Sequence, residues 1–287
     1  MIPEEIKAKK LISRVKEDRW FGFSYNLNLY RGCQHGCIYC DSRSSCYQLG
    51  NLSDIKIKQN ALELLGKELK SIKQKGTIGF GSMNDPYMPI EQSLNTTRKA
   101  LEICAKYNFP IHLITKSNLV VRDIDILQKI SATYAAISIT ITTTDNALAK
   151  KIEPNAPTPS DRFKALQTLS EAGIYCGITL MPVLPFINDT VENIEAIFEQ
   201  ASQSGVKYII GQMGVTLRDT QRDYFYKKLD ENFPGLKEKY ITTYGEKYNC
   251  MSPEFLKLQN AFVRNARKYN IATHMKFYSP PKQLTLF

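Results

Sequence analysis

The stretch Tyr25-Asn26-Leu27-Asn28-Leu29-Tyr30-Arg31-Gly32-Cys33-Gln34-His35-Gly36-Cys37-Ile38-Tyr39-Cys40 joins a β-rich run to a glycine-flanked loop carrying three cysteines. Working outward, five more short β-rich runs follow, at 77–81, 111–115, 135–141, 175–181 and 208–211. Between them lie stretches in which apolar residues recur three and four apart, such as Leu62, Leu65, Leu69 and Ile72, then Val191, Ile194, Phe198 and Ala201. That is the period of an amphipathic helix, and each such helix needs a sheet to cover. Gly76, Gly173 and Gly205 stand just before strands, where a left-handed cap would release a helix, and Asp189 with Glu192 reads as a capping box. A later helix over 252–269 carries Phe255, Leu258, Phe262, Ala266 and Tyr269 on one face and is expected to pack outside the barrel. The segment 219–249, rich in Lys, Tyr and Glu, reads as one or two surface helices.

Strands alternating with helices predict an α/β protein with a parallel sheet. Six units are fewer than the eight of a closed barrel, so the expected fold is a partial (β/α)6 TIM-type barrel, open on one side, with extra C-terminal helices. No linker or internal repeat divides the chain. A single domain over 1–287 is expected, with a core at about 20–215, a helical extension at 216–278 and an extended tail at 279–287. Chemistry in such folds collects at the C-terminal ends of the strands, which is where the cysteine loop falls.

Composition narrows the function classes. The chain has 287 residues, 43% apolar and 23% charged, with no low-complexity tract, which excludes disorder, collagen and coiled coil. The longest apolar stretch, 176–187, is too short to span a bilayer and is broken by Pro182 and Pro185. The start, MIPEEIKAKK, lacks the apolar core of a secretory signal, so a cytoplasmic protein with no membrane partner is expected. Lys plus Arg at 38 against Asp plus Glu at 28 leaves a net charge of +10, which favours polyanions or anionic cofactors as partners. Seven cysteines, an odd number in a chain too long to need stapling, point to metal or redox chemistry.

Three of the seven, Cys33, Cys37 and Cys40, are spaced C-x3-C-x2-C. Short spacers of this kind let successive thiolates turn towards one cubane of iron and sulfide, and three ligands leave the fourth iron open to a substrate or cofactor. The alternative is a zinc site completed by His35 or Cys46, although structural zinc normally uses two separated pairs. Cys104, on an apolar stripe with Leu94, Thr97 and Leu101, and Cys176 in the fifth strand read as core thiols.

With its aromatic before the third cysteine and its place after the first strand of a partial barrel, this triplet resembles the radical S-adenosylmethionine (SAM) superfamily. Asn28-Leu29-Tyr30-Arg31-Gly32-Cys33 and Cys37-Ile38-Tyr39-Cys40 resemble the branch that includes spore photoproduct lyase. So do Ser82-Met83-Asn84-Asp85-Pro86-Tyr87, Thr115-Lys116-Ser117, Ser138-Ile139-Thr140, Glu153-Pro154 with Arg162, and Leu180-Met181-Pro182-Val183-Leu184-Pro185. The resemblance spans about 25–211. It implies a [4Fe–4S] cluster on Cys33, Cys37 and Cys40, and SAM chelated to the fourth iron through its amino and carboxylate groups. It further implies an electron donor such as flavodoxin or ferredoxin.

The resemblance also implies roles for single residues. Tyr39 would lie against the adenine. Asn84 and Asp85 would accept from the SAM ammonium, although Asn-Asp-Pro is equally a turn signal. Lys116, at a strand end, would pair with the SAM carboxylate, or be an ordinary strand-end lysine. Ser138 and Thr140, on one face of the fourth strand, would touch the ribose or carboxylate. Arg162 would reach that carboxylate, or be a surface arginine on its helix.

In spore photoproduct lyase a cysteine on the loop after the second strand returns a hydrogen atom to the repaired thymine. Ser82 stands at the matching position here, and a serine O–H bond is far too strong for that task, so Tyr87 and Cys46 become the alternative donors. Three classes stay open: a radical enzyme acting on a nucleic acid base, one acting on protein or a small molecule, and a non-catalytic metal-binding protein. Finally, Gln283-Leu284-Thr285-Leu286-Phe287 resembles the peptide by which bacterial polymerases and repair proteins bind the sliding clamp, with the competing expectation that it folds back onto the barrel.

Overall fold

The computed structural model describes residues 3–280, so the clamp-like segment 283–287 lies outside the described residues. Six strands form one parallel sheet: β1 (Tyr25–Leu27), β2 (Ile78–Phe80), β3 (Ile111–Thr115), β4 (Ala135–Thr140), β5 (Tyr175–Leu180) and β6 (Tyr208–Gly211). They lie side by side in chain order, and a short antiparallel strand, Ile12–Arg14, edges β1 to make seven. The architecture is the α/β partial barrel that the pattern predicts.

The expected first strand at 25–31 divides in two. At Asn28 the chain leaves the sheet, and Tyr30–Arg31 pairs instead with Lys56–Lys58 in a small separate sheet. The break has a local cause. The Asn28 carbonyl accepts from Lys58 Nζ at 2.6 Å, and its side-chain Oδ1 accepts from Met83 N at 3.3 Å, which ties this corner to the loop after β2.

The core lies between sheet and helices. Leu65 and Leu69 of the helix Ala61–Ser71 and Ile194, Phe198 and Ala201 of Val191–Gln203 are buried, as their spacing predicts. The last helix, Phe255–Lys268, packs on Val191–Gln203, with the Phe198 and Phe262 rings edge to face at 5.1 Å. Phe255, the first residue of that helix, is exposed rather than packed with the rest of its face. Residues 219–249 form two helices, Asp219–Asn232 and Leu236–Tyr244, followed by a strand, Asn249–Met251, that pairs with Gly214–Thr216.

Two helix-end expectations are corrected. The cap of Val191–Gln203 is Thr190, whose hydroxyl accepts from Asn193 N at 3.1 Å. Asp189 instead accepts from the Ser252 hydroxyl at 2.6 Å, holding the last helix to the barrel. Gly173 and Gly205 have the left-handed φ of a cap, +77° and +71°, but Gly76 does not; a Cβ there would collide with the Ser24 side chain. Among the described residues no helix is long and apolar enough to cross a membrane.

Candidate active site at the strand ends

The loop after Tyr30–Arg31 turns at Gly32, whose φ of +83° suits glycine and where a Cβ would stand 2.8 Å from the carbonyl oxygens of Leu52 and Asp54. Three segments then fix its backbone. Cys33 N donates to Leu52 O at 2.7 Å, Ile38 N to Ile152 O at 2.9 Å, and Asn155 N to His35 O at 3.1 Å. The far side is held by the C-terminal extension. Arg218 Nη2 donates to Asp41 at 2.5 Å, Asp219 accepts from the Ser44 hydroxyl at 2.7 Å, and Gln221 Nε2 donates to Tyr39 O at 3.1 Å.

So held, Cys33, Cys37 and Cys40 border one cavity of about 330 Å³ at the C-terminal ends of the strands. Tyr39, Ser82, Asn84, Asp85, Lys116 and Thr140 line the same cavity. Burial pushes the Cys33 thiol up to about 12, and burial raises Cys37 as well. Both are thiols until something replaces their protons. Among the described residues no three metal-ligating groups converge tightly enough to hold one ion. Thiols spread around a shared cavity suit a group that takes one thiolate per iron.

Lys116 brings a cation to this cavity. Its Nζ lies 5.7 Å from the Tyr39 ring centre, and it has no ion pair among the described residues. Burial lowers its pKa, but Cys37, Glu153 and Asp85 more than offset this, and the ammonium is raised above its ordinary value. Asn84 is buried, borders the cavity and donates through Nδ2 to Tyr30 O at 2.6 Å. The Tyr39 hydroxyl donates to Glu153, and the phenol is raised by burial and by that carboxylate.

The surroundings of five further residues bear on the roles expected of them. Asp85 is buried and accepts three hydrogen bonds, from Thr115 Oγ1 at 2.6 Å, Lys116 N at 2.7 Å and Tyr87 N at 2.8 Å, and His35 Nε2 stands 3.1 Å away. Burial raises this carboxyl, but His35 and these donors hold it well below the usual carboxylate range. It ties the cluster loop to the strand ends while bordering the cavity. Ser138 lies deeper, with its hydroxyl 2.7 Å from both His112 Nε2 and Tyr208 Oη, so it belongs to a closed core network. Thr140, two residues on, does line the cavity and pairs with Thr179 at 2.8 Å.

Arg162 is neither a surface residue nor at the cavity. It is buried, with Nη2 2.6 Å from Glu153 Oε2 and Nη1 donating to Thr140 O at 2.9 Å. Of the alternative hydrogen donors, Tyr87 is buried, gives its hydroxyl to Asp123 at 2.9 Å and is absent from the cavity wall. Cys46 is exposed and also absent from that wall. Ser82 alone of the three borders it. Cys104 and Cys176 are buried, as read.

Sequence reasoning missed the wall made by Gln212, Gly214 and Thr216, and the clamp from Arg218 to Gln221. These residues carry no motif. Only their distance along the chain from a cysteine loop that lacks partners of its own would have hinted at them.

The sequence profile of the Radical SAM superfamily matches residues 27–200. An uncharacterized protein of Methanocaldococcus jannaschii is 30% identical over 273 residues, covering 93% of this chain and 94% of that one. A protein of Pseudomonas phage M6 named radical SAM Nalpha-GlyT isomerase is 26% identical, over 62% of this chain but 36% of its own. Among solved structures, spore photoproduct lyase complexed with dinucleoside spore photoproduct aligns with a TM-score of 0.70. That alignment covers 92% of this chain and 78% of the lyase at 14% identity, a likeness of fold.

Proposed function

Because the chain belongs to the radical SAM superfamily, we propose that it is a radical enzyme whose cavity at the strand ends holds a [4Fe–4S] cluster and SAM, and that its substrate is a nucleic acid base. The observation that carries the cofactor reading is the meeting of three thiols, an unpaired ammonium and an aromatic ring in one cavity. When bound, the cluster supplies the electron that splits the sulfonium carbon–sulfur bond of SAM and yields a 5′-deoxyadenosyl radical.

This chain's residues bind and orient. Cys33, Cys37 and Cys40 give the thiolates. Lys116, kept charged by its neighbours, meets the SAM carboxylate, and Asn84 Oδ1 accepts from its ammonium. Tyr39 packs against the adenine, its ring fixed by the hydroxyl bond to Glu153. Thr140 offers a hydroxyl to the same ligand. A nucleic acid substrate is supported by the net charge of +10 and by the dinucleoside spore photoproduct carried by the lyase of like fold. The electron comes from a carrier such as flavodoxin or ferredoxin.

The test is direct. Anaerobically purified protein should carry close to one cluster and, with a strong reductant, turn SAM into 5′-deoxyadenosine. Zinc with tetrahedral sulfur coordination in fresh anaerobic protein would overturn the reading.

A second expectation concerns the reaction itself. With Ser82 at the cavity wall and neither Tyr87 nor Cys46 there, the protein should not return spore photoproduct cleanly to two thymines. Ser82→Cys is expected to raise clean repair. Efficient repair by the unaltered protein, measured by chromatography of the nucleosides, would show that another group donates the hydrogen atom.

A further inference from the structure

Beside the cofactor cavity, and separate from it, the strand-end face carries a depression of about 670 Å³. Among the described residues His35 alone borders both. It is buried and stands two residues from Cys33 and two from Cys37, so at this point the wall between the depression and the thiols is one residue thick. The wall is braced. Asn155 Nδ2 donates to Gln34 O at 2.9 Å, Ile90 N donates to Gln34 Oε1 at 2.8 Å, and His35 Nε2 stands 3.1 Å from the Asp85 carboxylate. Electron transfer falls off steeply with separation, so the thinnest fixed wall is the natural place for an electron to enter.

The depression has the make-up of a brief protein contact. Pro89, Leu119, Val121, Ala156 and Pro157 give it an apolar lining, and the cations Lys150 and Arg122 border it. No Asp or Glu is among its described lining residues. Arg122 is fixed in advance: Nη2 lies 2.8 Å from the buried Asp123, and Nη1 donates to Glu91 O at 2.9 Å. Lys150 is exposed and donates to the Pro154 carbonyl, so its charge is not neutralised there. The chain's net charge of +10 adds a long-range pull on an acidic partner. Complementary charge speeds encounter more than it deepens affinity, and electron-transfer contacts are small, which suits a partner that must leave after each electron.

We propose that this depression docks the electron carrier, a small acidic protein that lays the exposed edge of a reduced flavin against the His35 wall. A concave apolar lining suits the flat edge of a projecting ring, and the cations on the border suit the acidic surface around it. The inference rests on the radical reading above and deepens it by naming where the electron enters. The flavin hydroquinone anion gives up one electron and becomes the neutral semiquinone, while the cluster gains that electron. No bond forms or breaks in the wall between them.

The test reverses the border. Gln92 and Lys150 are exposed side chains of the depression, and Gln92→Glu with Lys150→Glu makes it acidic. The matched control, Lys70→Glu with Gln74→Glu, makes the same change of net charge at exposed positions ahead of β2, at the opposite end of the barrel. Labelled flavodoxin is titrated by fluorescence anisotropy against the anaerobically purified full chain at low salt. Affinity should fall about tenfold in the first variant and less than about twofold in the control. In cluster-loaded protein, stopped-flow bleaching by flavodoxin hydroquinone should slow by about the same factor, whereas bleaching by dithionite should change no more than in the control. Equal weakening in both variants, unchanged flavodoxin affinity in the first, or a loss confined to ferredoxin overturns the proposal. So does a small anion released on denaturing the parent and missing from the first variant, which would make the depression a ligand site. If neither reductant bleaches a cluster and no 5′-deoxyadenosine forms, the radical reading has failed on its own account; the anisotropy titration needs no cluster and decides the docking separately.

Discussion

Cys37→Ala is expected to remove iron and sulfide from the protein and to abolish 5′-deoxyadenosine formation completely, and Cys33→Ala and Cys40→Ala should do the same. In the proposed assignment each thiolate would hold one iron, and Cys46, exposed and off the cavity wall, would not replace a lost one. The fold should survive. Cys37 packs in a small apolar cluster with Ile38, Tyr39 and Leu184, and deleting one sulfur there costs on the order of 1 kcal/mol. The metal-free variant and the metal-free parent should therefore melt within a few degrees of each other. Cys46→Ala should keep both cluster and activity. Loading should also favour alkaline conditions, since the Cys33 thiol, pushed to about 12 by burial, must lose its proton to bind iron. A Cys37→Ala protein that retains a full cluster would overturn the assignment.

Arg162→Met should destabilise the folded protein by about 3–5 kcal/mol, because it leaves the Glu153 carboxylate buried without its guanidinium. Burial alone would raise Glu153, but Arg162 and Lys116 hold it below the ordinary carboxylate value. A depressed pKa means that its contribution is full above the unfolded value and fades as pH falls through the folded one. In the variant, burial is opposed only by Lys116 and the Tyr39 hydroxyl, so the folded pKa rises. The gap between parent and variant should therefore be widest near neutral pH, begin to shrink as pH falls through the raised folded value of the variant, and close only below the depressed folded value of the parent, where Glu153 is protonated in both. Denaturant unfolding at neutral pH and across the acid range checks this. A pH-independent gap would mean that lost packing, not lost pairing, is responsible. The Glu153→Gln, Arg162→Met double variant should recover part of the loss.

What the sequence disclosed follows the range of the forces concerned. Strands β3 and β6 appear at the residues their β-rich runs mark, because alternation and β-branched content are local. The cysteine triplet was legible for the same reason, since its spacers alone decide what its sulfurs can share. Roles that depend on distant partners were not. The sequence leaves Asp85 equally a turn residue or a partner of the SAM ammonium, and only the fold shows Thr115 and Lys116, 30 and more positions away along the chain, bonded to its oxygens. Ser138 and Thr140 share a face, and period two cannot tell which of them reaches the cavity and which sits a layer below. Arg162 has the look of a surface residue on its helix until Glu153 is found beside it.

The clamp that Arg218, Asp219 and Gln221 place on the cysteine loop has a consequence for the order of synthesis. Gln221 lies 182 residues after the Tyr39 carbonyl that it holds, and Arg218 lies 177 after Asp41. At typical elongation rates the cysteines leave the ribosome on the order of ten seconds or more before the residues that fix their loop. Five of the six sheet strands, β2 to β6, also finish in that interval. A nascent chain thus displays three thiols on a loop whose bonds to Leu52, Ile152 and Asn155 become available before its far side is clamped. Iron supplied to the finished chain meets a positioned site, whereas iron or oxygen arriving earlier meets free cysteines.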